Sequence, residues 1–158
     1  MINISPFFSK ERTIYFEYAV NLNMKKIIYM ISHLAHKTHP DVNISYISRI
    51  LAEREKLGST YIGHGIAIPH GRIIGLKEPI ISLVALKNPV LFSEKNSHEV
   101  QLFFGLLIPE TKDKKNDPHV AILAALAEKL KNEQYRNHLK NATNNDMLYQ
   151  AAISDVNT

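Results

Sequence analysis

A layered α/β fold is the architecture this sequence predicts, and three observations predict it. Two mostly apolar runs, Ile80 to Leu86 and Val100 to Ile108, read as strands covered on both faces. Segments with apolar residues at helical spacing alternate with strand candidates along the chain, the pattern of packed layers. The 158 residues can bury a substantial core, and no internal repeat, low-complexity stretch or linker divides them. Residues 1–158 are therefore expected to form a single domain.

From the N-terminus, Arg12 to Val20 mixes aromatic and β-branched residues, with Ile14, Phe16, Tyr18 and Val20 on one side, and predicts a strand. Met24 to Lys37 carries Ile27, Ile28, Ile31, Leu34 and Ala35 at helical spacing. His39-Pro40-Asp41 ends that helix. Asn43 is a suitable N-cap for a second helix running to about Lys56, with Ile44, Ile47, Ile50 and Leu51 as its buried stripe.

Next comes Gly65-Ile-Ala-Ile-Pro-His-Gly-Arg72. Ile66, Ala67 and Ile68 read as a short buried strand, which Pro69 ends because it cannot donate to a sheet ladder. His70 is then expected at a strand end, where the chain turns, outside the core, with Gly71 freeing the backbone behind it. Five of the six glycines (Gly58, Gly63, Gly65, Gly71 and Gly75) crowd this segment and mark irregular backbone.

Beyond the two apolar runs, Lys112 to Asn116 is a charged loop. Asp117 is a good N-cap, Pro118 suits the first helical position, and His119 follows at the second. Ile122, Leu123, Leu126, Ala127 and Leu130 give that helix its apolar face. Glu133 to Lys140 predicts a short helix. Thr143 precedes Asp146 with capping-box spacing, ahead of a last helix over Met147 to Ile153.

Composition narrows the function. The net charge of +4 is spread over scattered lysines and arginines with no block of five or six, so no nucleic-acid patch is expected. No run approaches the roughly 18 apolar residues of a membrane span, and the N-terminus lacks a signal-peptide pattern. With no cysteine there is neither a disulfide framework nor a thiolate metal site. A cytoplasmic protein without membrane insertion is expected.

Histidine supplies the candidate chemistry. A neutral imidazole is a nucleophile and can form a covalent intermediate. A phosphorylated imidazole at His70 would need backbone N–H groups, which a glycine-rich segment can offer, and a cation, for which Arg54 and Arg72 are candidates. On local pattern alone, a surface-loop histidine without a role fits His70 equally well. His119, in the first turn of its helix, sits where the dipole favours anions and neutral imidazole, so it could hydrogen-bond a phosphoryl oxygen. An incidental first-turn histidine is the bland alternative. His33, His36 and His39 invite a metal reading, but Pro40 ends the helix beside them and no acidic ligand adjoins, so a solvated helix end is preferred. His64, His98 and His138 are read as surface residues. No nucleotide P-loop, zinc-protease or serine-hydrolase motif is present.

Arg54-Glu-Lys-Leu-Gly-Ser-Thr60 followed by Gly63-His-Gly-Ile-Ala-Ile-Pro-His-Gly71 resembles the type-2 enzyme IIA domains of the bacterial phosphoenolpyruvate phosphotransferase system. The Gly-Ser-Thr and Gly-Ile-Ala-Ile-Pro-His-Gly forms look most like the nitrogen-regulatory branch. The likeness extends to Leu106-Leu-Ile-Pro109, the His119 helix and Met147-Leu-Tyr-Gln150. It departs at Tyr61 and His64 in the glycine segment and in the highly charged Lys112–Asp117 loop. The resemblance implies an α/β/α sandwich with a central mixed sheet flanked by helices. It implies His70 as phosphoryl acceptor through Nε2, His119 as a hydrogen-bonding partner of the phosphoryl group, and Arg54 as the charge-stabilising residue. It also implies an HPr-like phosphocarrier as donor, a role mainly in nitrogen-related regulation through target proteins, and no metal or organic cofactor. The alternative it leaves open is a fructose/mannitol-class sugar-transport component that passes phosphate to a separate IIB domain.

Overall fold

The frame is a long hairpin whose two strands, β5 (Ile80–Ser93) and β6 (Asn96–Pro109), pair antiparallel. In the computed structural model, which describes residues 2–18, 21–93, 96–113, 115 and 117–155, both strands extend beyond the apolar runs that predict them. Side chains alternate across the sheet along each strand. Ile81, Leu83 and Ala85 of β5 join Leu102, Phe104, Leu106 and Ile108 of β6 on one face, while Ile80, Val84, Leu86, Val100, Phe103 and Leu107 fill the other. Each large apolar side chain so buried contributes roughly 1.5–3 kcal/mol.

Four shorter strands complete the sheet. β1 (Thr13–Phe16) pairs parallel with β5. β3 (Ile66–Ala67) and β4 (His70–Ile73) pair parallel with β6, one after the other along the same edge, and β2 (Tyr61–Gly63) pairs antiparallel with β3. Among the described residues the sheet is six-stranded and mixed, in the order β1-β5-β6-β3-β2 with β4 beside β6. Helices α1 (Met24–Thr38) and α2 (Ile44–Leu57) cover one face. Helices α3 (His119–Leu130), α4 (Glu133–Asn141) and α5 (Asn145–Ile153) cover the other. This is the α/β sandwich with a central mixed sheet that the sequence leads one to expect.

Close approach of α1 to the sheet depends on Gly105. A Cβ there would sit 2.3 Å from Cγ2 of Ile31, so only a bare backbone lets the helix seat. The caps follow from short polar side chains: Asn23, Asn43 and Asn132 each accept the third backbone N–H of the helix they open.

Four expectations need correction. The N-terminal strand spans Thr13–Phe16 rather than Arg12 to Val20: Arg12 ends a 3₁₀ turn, Tyr18 is 82% exposed, and Val20 lies outside the described residues. Arg12 is instead buried, donating to the carbonyls of Phe7 and Ile81 and to Oγ1 of Thr38, and satisfying those donors ends the regular run. The last helix begins at Asn145 under Asn144, whose Oδ1 accepts from Met147 N at 2.8 Å, so Thr143 is not its cap. The third helix begins at His119, with Pro118 at the N-cap position, so His119 is its first residue and not its second. Pro118 has no N–H to offer, and Asp117 Oδ1 accepts from His119 N, two residues on as in an Asx turn, at 3.0 Å. Finally, His70 does not stand at a turn outside the core: it opens β4 and is 9% exposed. Part of the charged loop, positions 114 and 116, lies outside the described residues.

Candidate functional site

Ile68 and Pro69 interrupt the edge track between β3 and β4, and the interruption shapes the site. Pro69 faces β6, its carbonyl accepting from Leu106 N at 2.9 Å. Ile68 faces the other way. Its N–H donates to the Thr60 carbonyl at 3.0 Å, and its own carbonyl lies 2.7 Å from Nδ1 of His70. A carbonyl only accepts, so Nδ1 carries the hydrogen and Nε2 keeps its lone pair. The ring is thus oriented by backbone two residues before it.

That backbone is held in turn by α2. The carboxyl group of Glu55 accepts from Thr60 N at 3.2 Å and from the Thr60 hydroxyl. Burial pushes the Glu55 carboxyl up from the ordinary carboxylate range, partly offset by both Thr60 hydrogen bonds and by the charge of Arg54. Glu55 to Thr60 to Ile68 to the His70 ring is therefore one continuous strut. Sequence reasoning missed Glu55 and Thr60, although both lie inside the Arg54–Thr60 motif.

Strand alternation places His70 and Arg72 on the sheet face that α3 covers, beside Leu106 and Ile108. Gly71 points to the opposite face, against α2, where a Cβ would lie 2.7 Å from Cγ2 of Ile50. Its requirement is space and not the backbone freedom expected from sequence, because its φ is not in the left-handed region. Positive φ is needed instead at His64 (56°) and Gly65 (75°), two consecutive residues that turn β2 into β3 as in a type I′ hairpin. Tyr61, one of the departures from the family pattern, braces this turn: its hydroxyl accepts from Gly65 N at 3.2 Å and its ring stacks on His98.

His119 enters from the first turn of α3. Its ring meets that of His70 edge-on, with centroids 5.4 Å apart and planes at 80°. Burial lowers the pKa of both imidazoles below the ordinary histidine value of 6.5; for His70 the charge of Arg54 adds to this against the Ile68 hydrogen bond, and for His119 the neighbouring His70, Arg72 and Arg54 do, against Asp117. Arg54, in the last turn of α2, is held by its own hydrogen bond to the Gly58 carbonyl at 2.7 Å. The structure thus brings together all three residues singled out from sequence: two neutral imidazoles and a guanidinium that acts electrostatically on both. Arg72 joins them through an ion pair with Asp117. Beside the pair, Arg72, His119, Val120, Leu123, Ala124 and Ala127 line a shallow, mostly apolar groove.

The His33, His36 and His39 run makes different contacts. Nδ1 of His36 donates to the Val42 carbonyl at 2.8 Å, His39 bridges Thr38 and Glu78, and His33 packs on Tyr29. Among the described residues no three histidine or acidic side chains gather as a metal site would require. Nor is any described helix long and apolar enough to cross a membrane.

The fold is thus an α/β sandwich that sets a buried imidazole, His70, against a half-buried one, His119. More particularly, residues 7–155 match the family described as phosphoenolpyruvate-dependent sugar phosphotransferase system, EIIA 2, and the chain belongs to that family. It is 35% identical to a nitrogen regulatory protein of Pseudomonas aeruginosa, over 84% of this chain and 84% of that one. Among solved structures, the nitrogen regulatory protein IIA-Ntr from Neisseria meningitidis superposes with a TM-score of 0.77 at 27% identity, covering 94% of this chain and 97% of that one. IIA mannitol from Escherichia coli shares the fold, with a TM-score of 0.69 at 22% identity over 90% of this chain and 96% of that one.

Proposed function

We infer that this protein is a phosphoryl carrier of a phosphotransferase system that acts mainly in nitrogen-related regulation, with residues 1–158 as one IIA unit. The observation that carries the reading is the His70 ring: Nδ1–H tied to the Ile68 carbonyl, Nε2 left as the nucleophile, and His119 facing it. Relatives named as nitrogen regulatory proteins support the regulatory branch over the sugar-transport alternative.

In the reading proposed here, the donor is a histidine-phosphorylated HPr-like protein. The Nε2 lone pair of His70 attacks phosphorus in line; the donor's N–P bond breaks and its electron pair returns to the donor imidazole. A pKa below the ordinary value keeps His70 neutral, so the lone pair is available at neutral pH. Such transfers are achieved chiefly by positioning and charge stabilisation. Arg54 balances the charge on the phosphoryl oxygens and His119 hydrogen-bonds one of them. The apolar groove beside His119 offers a docking surface for a transient complex. One doubly charged group gained at that surface changes which proteins it accepts, which is how a carrier signals.

The test is a relay: the protein is incubated with phosphoenolpyruvate, enzyme I and the HPr-like carrier, and intact mass is followed. One acid-labile phosphoryl group is expected on the wild-type chain and none on His70→Ala. Phosphorylation of His70→Ala overturns the site. Rapid onward transfer to a sugar-specific IIB domain overturns the regulatory assignment in favour of transport.

A further inference from the structure

We propose that Asp117 and Arg72 are positioning residues that set both the place and the tautomer of His119, an inference that rests on the phosphoryl-transfer reading above. Asp117 reaches two elements at once. Its Oδ1 accepts the backbone N–H of His119 at 3.0 Å, and its Oδ2 accepts from the Arg72 guanidinium on β4. Arg72 lies two residues past His70 on the same sheet face. The carboxylate therefore ties the first turn of α3 to the strand that carries His70. It does so from a mostly buried position: the Asp117 side chain is 8% exposed and that of Arg72 32%. Removing Asp117 takes from the Arg72 guanidinium the carboxylate it faces across this join.

The tautomer follows from unpaired atoms. Arg72 Nε and His119 Nδ1 are both buried without a hydrogen-bond partner among the described residues. Both residues are held by the same carboxylate and line the same groove. A guanidinium has donors and no acceptor. The two are not bonded to each other in this structure; a donor in search of an acceptor and a neighbouring ring nitrogen satisfy one another on a small closing movement only if that nitrogen carries no hydrogen. His119 then holds its proton on Nε2. His70 is set the opposite way, with its hydrogen on Nδ1 and a bare Nε2. One imidazole is thereby prepared to attack and the other to donate, and the two second-row partners, a carbonyl and a guanidinium, decide which is which.

The experiment reads tautomers directly, by long-range ¹H–¹⁵N correlation of the imidazoles in the unphosphorylated protein. His119 is expected as the Nε2–H form in the wild type and as a mixture in Arg72→Ala. Asp117→Asn, which keeps the acceptor for His119 N but loses the charge, is expected to fall between them, and Arg72→Lys to restore the wild-type form. Transfer from the phosphorylated donor should slow roughly 10²-fold in Arg72→Ala, as expected when a catalytic group loses its orientation. An Nδ1–H wild-type His119, or a tautomer ratio that Arg72→Ala leaves alone, overturns the proposal; the wild-type reading needs no variant to fold. A shifted tautomer with an unchanged transfer rate overturns the positioning role. Phosphorylation of His70→Ala overturns the functional reading without touching the tautomer result, so the two failures are separable.

Discussion

His33, His36 and His39 stand at even spacing along and just beyond the end of α1, whereas His70 and His119 come from a strand and a helix in different halves of the chain. The evenly spaced group has the more suggestive pattern in sequence and the less suggestive surroundings in space. His36 is tied to the Val42 carbonyl, His39 joins Thr38 to Glu78, and Thr38 in turn accepts from buried Arg12. These contacts fasten the end of α1 to the 3₁₀ turn and loops beside it. The distant pair meets ring to ring, with His70 buried, His119 half-buried and arginine charge on both members. Regular spacing brings side chains onto one helical face, but reactivity comes from desolvation, orientation and the charges nearby, which spacing does not report.

The comparison breaks first at the facing pair. Beyond the His70→Ala test, His119→Ala or Arg54→Gln should slow transfer from the phosphorylated donor by roughly 10²–10³-fold, the usual cost of deleting one preorganised charge-stabilising group; quenched-flow phosphotransfer assays will measure it. Loss of only a few-fold would place the residue outside the phosphoryl cradle. The packing beneath the pair comes next. Gly71→Ala forces a Cβ to 2.7 Å from the Ile50 methyl and should cost about 1–3 kcal/mol in urea unfolding, while moving α2, and with it Arg54 and Glu55, away from His70. The smallest effect belongs to the helix-end group. His39→Ala breaks a link to Glu78, whose side chain is largely exposed, and should cost under about 1 kcal/mol with phosphotransfer unchanged. A His39→Ala protein that loses phosphotransfer would dissolve the distinction between the two groups.

Most of the frame is legible in the sequence because it depends on periodicity. The Ile27-Ile28-Ile31-Ala35 stripe, the Asn43 cap and the two apolar runs each announce an element, and each element forms. The errors fall where one side chain outweighs the period. Arg12 has an extended, aromatic-rich neighbourhood, yet its guanidinium finds three acceptors inside the protein and turns the chain into a 3₁₀ segment. Thr143 and Asn144 are both credible caps, and the better-placed Asn144 takes the N–H of Met147. His70 follows a proline and precedes a glycine, which reads as a turn; the parallel track along β6 simply resumes after Pro69 and carries the histidine inward.

By itself the sequence determined the alternation of helices and strands, the absence of any motif for nucleotide chemistry, and the two histidines and the arginine worth attention. Those are properties of local pattern and residue chemistry. Only the tertiary structure decided that Arg54, His70 and His119 come together, that Gly71 serves packing, and that Glu55, Thr60, Arg72 and Asp117 hold the residues around them. The physical reason is that burial and hydrogen-bond partnership are set between elements remote in the chain: α2 meets β4 through Ile50 and Gly71, and α3 meets it through Asp117 and Arg72. Two imidazoles with the same intrinsic chemistry meet different partners there: the Ile68 carbonyl holds the His70 ring, and Asp117 holds the backbone that carries His119.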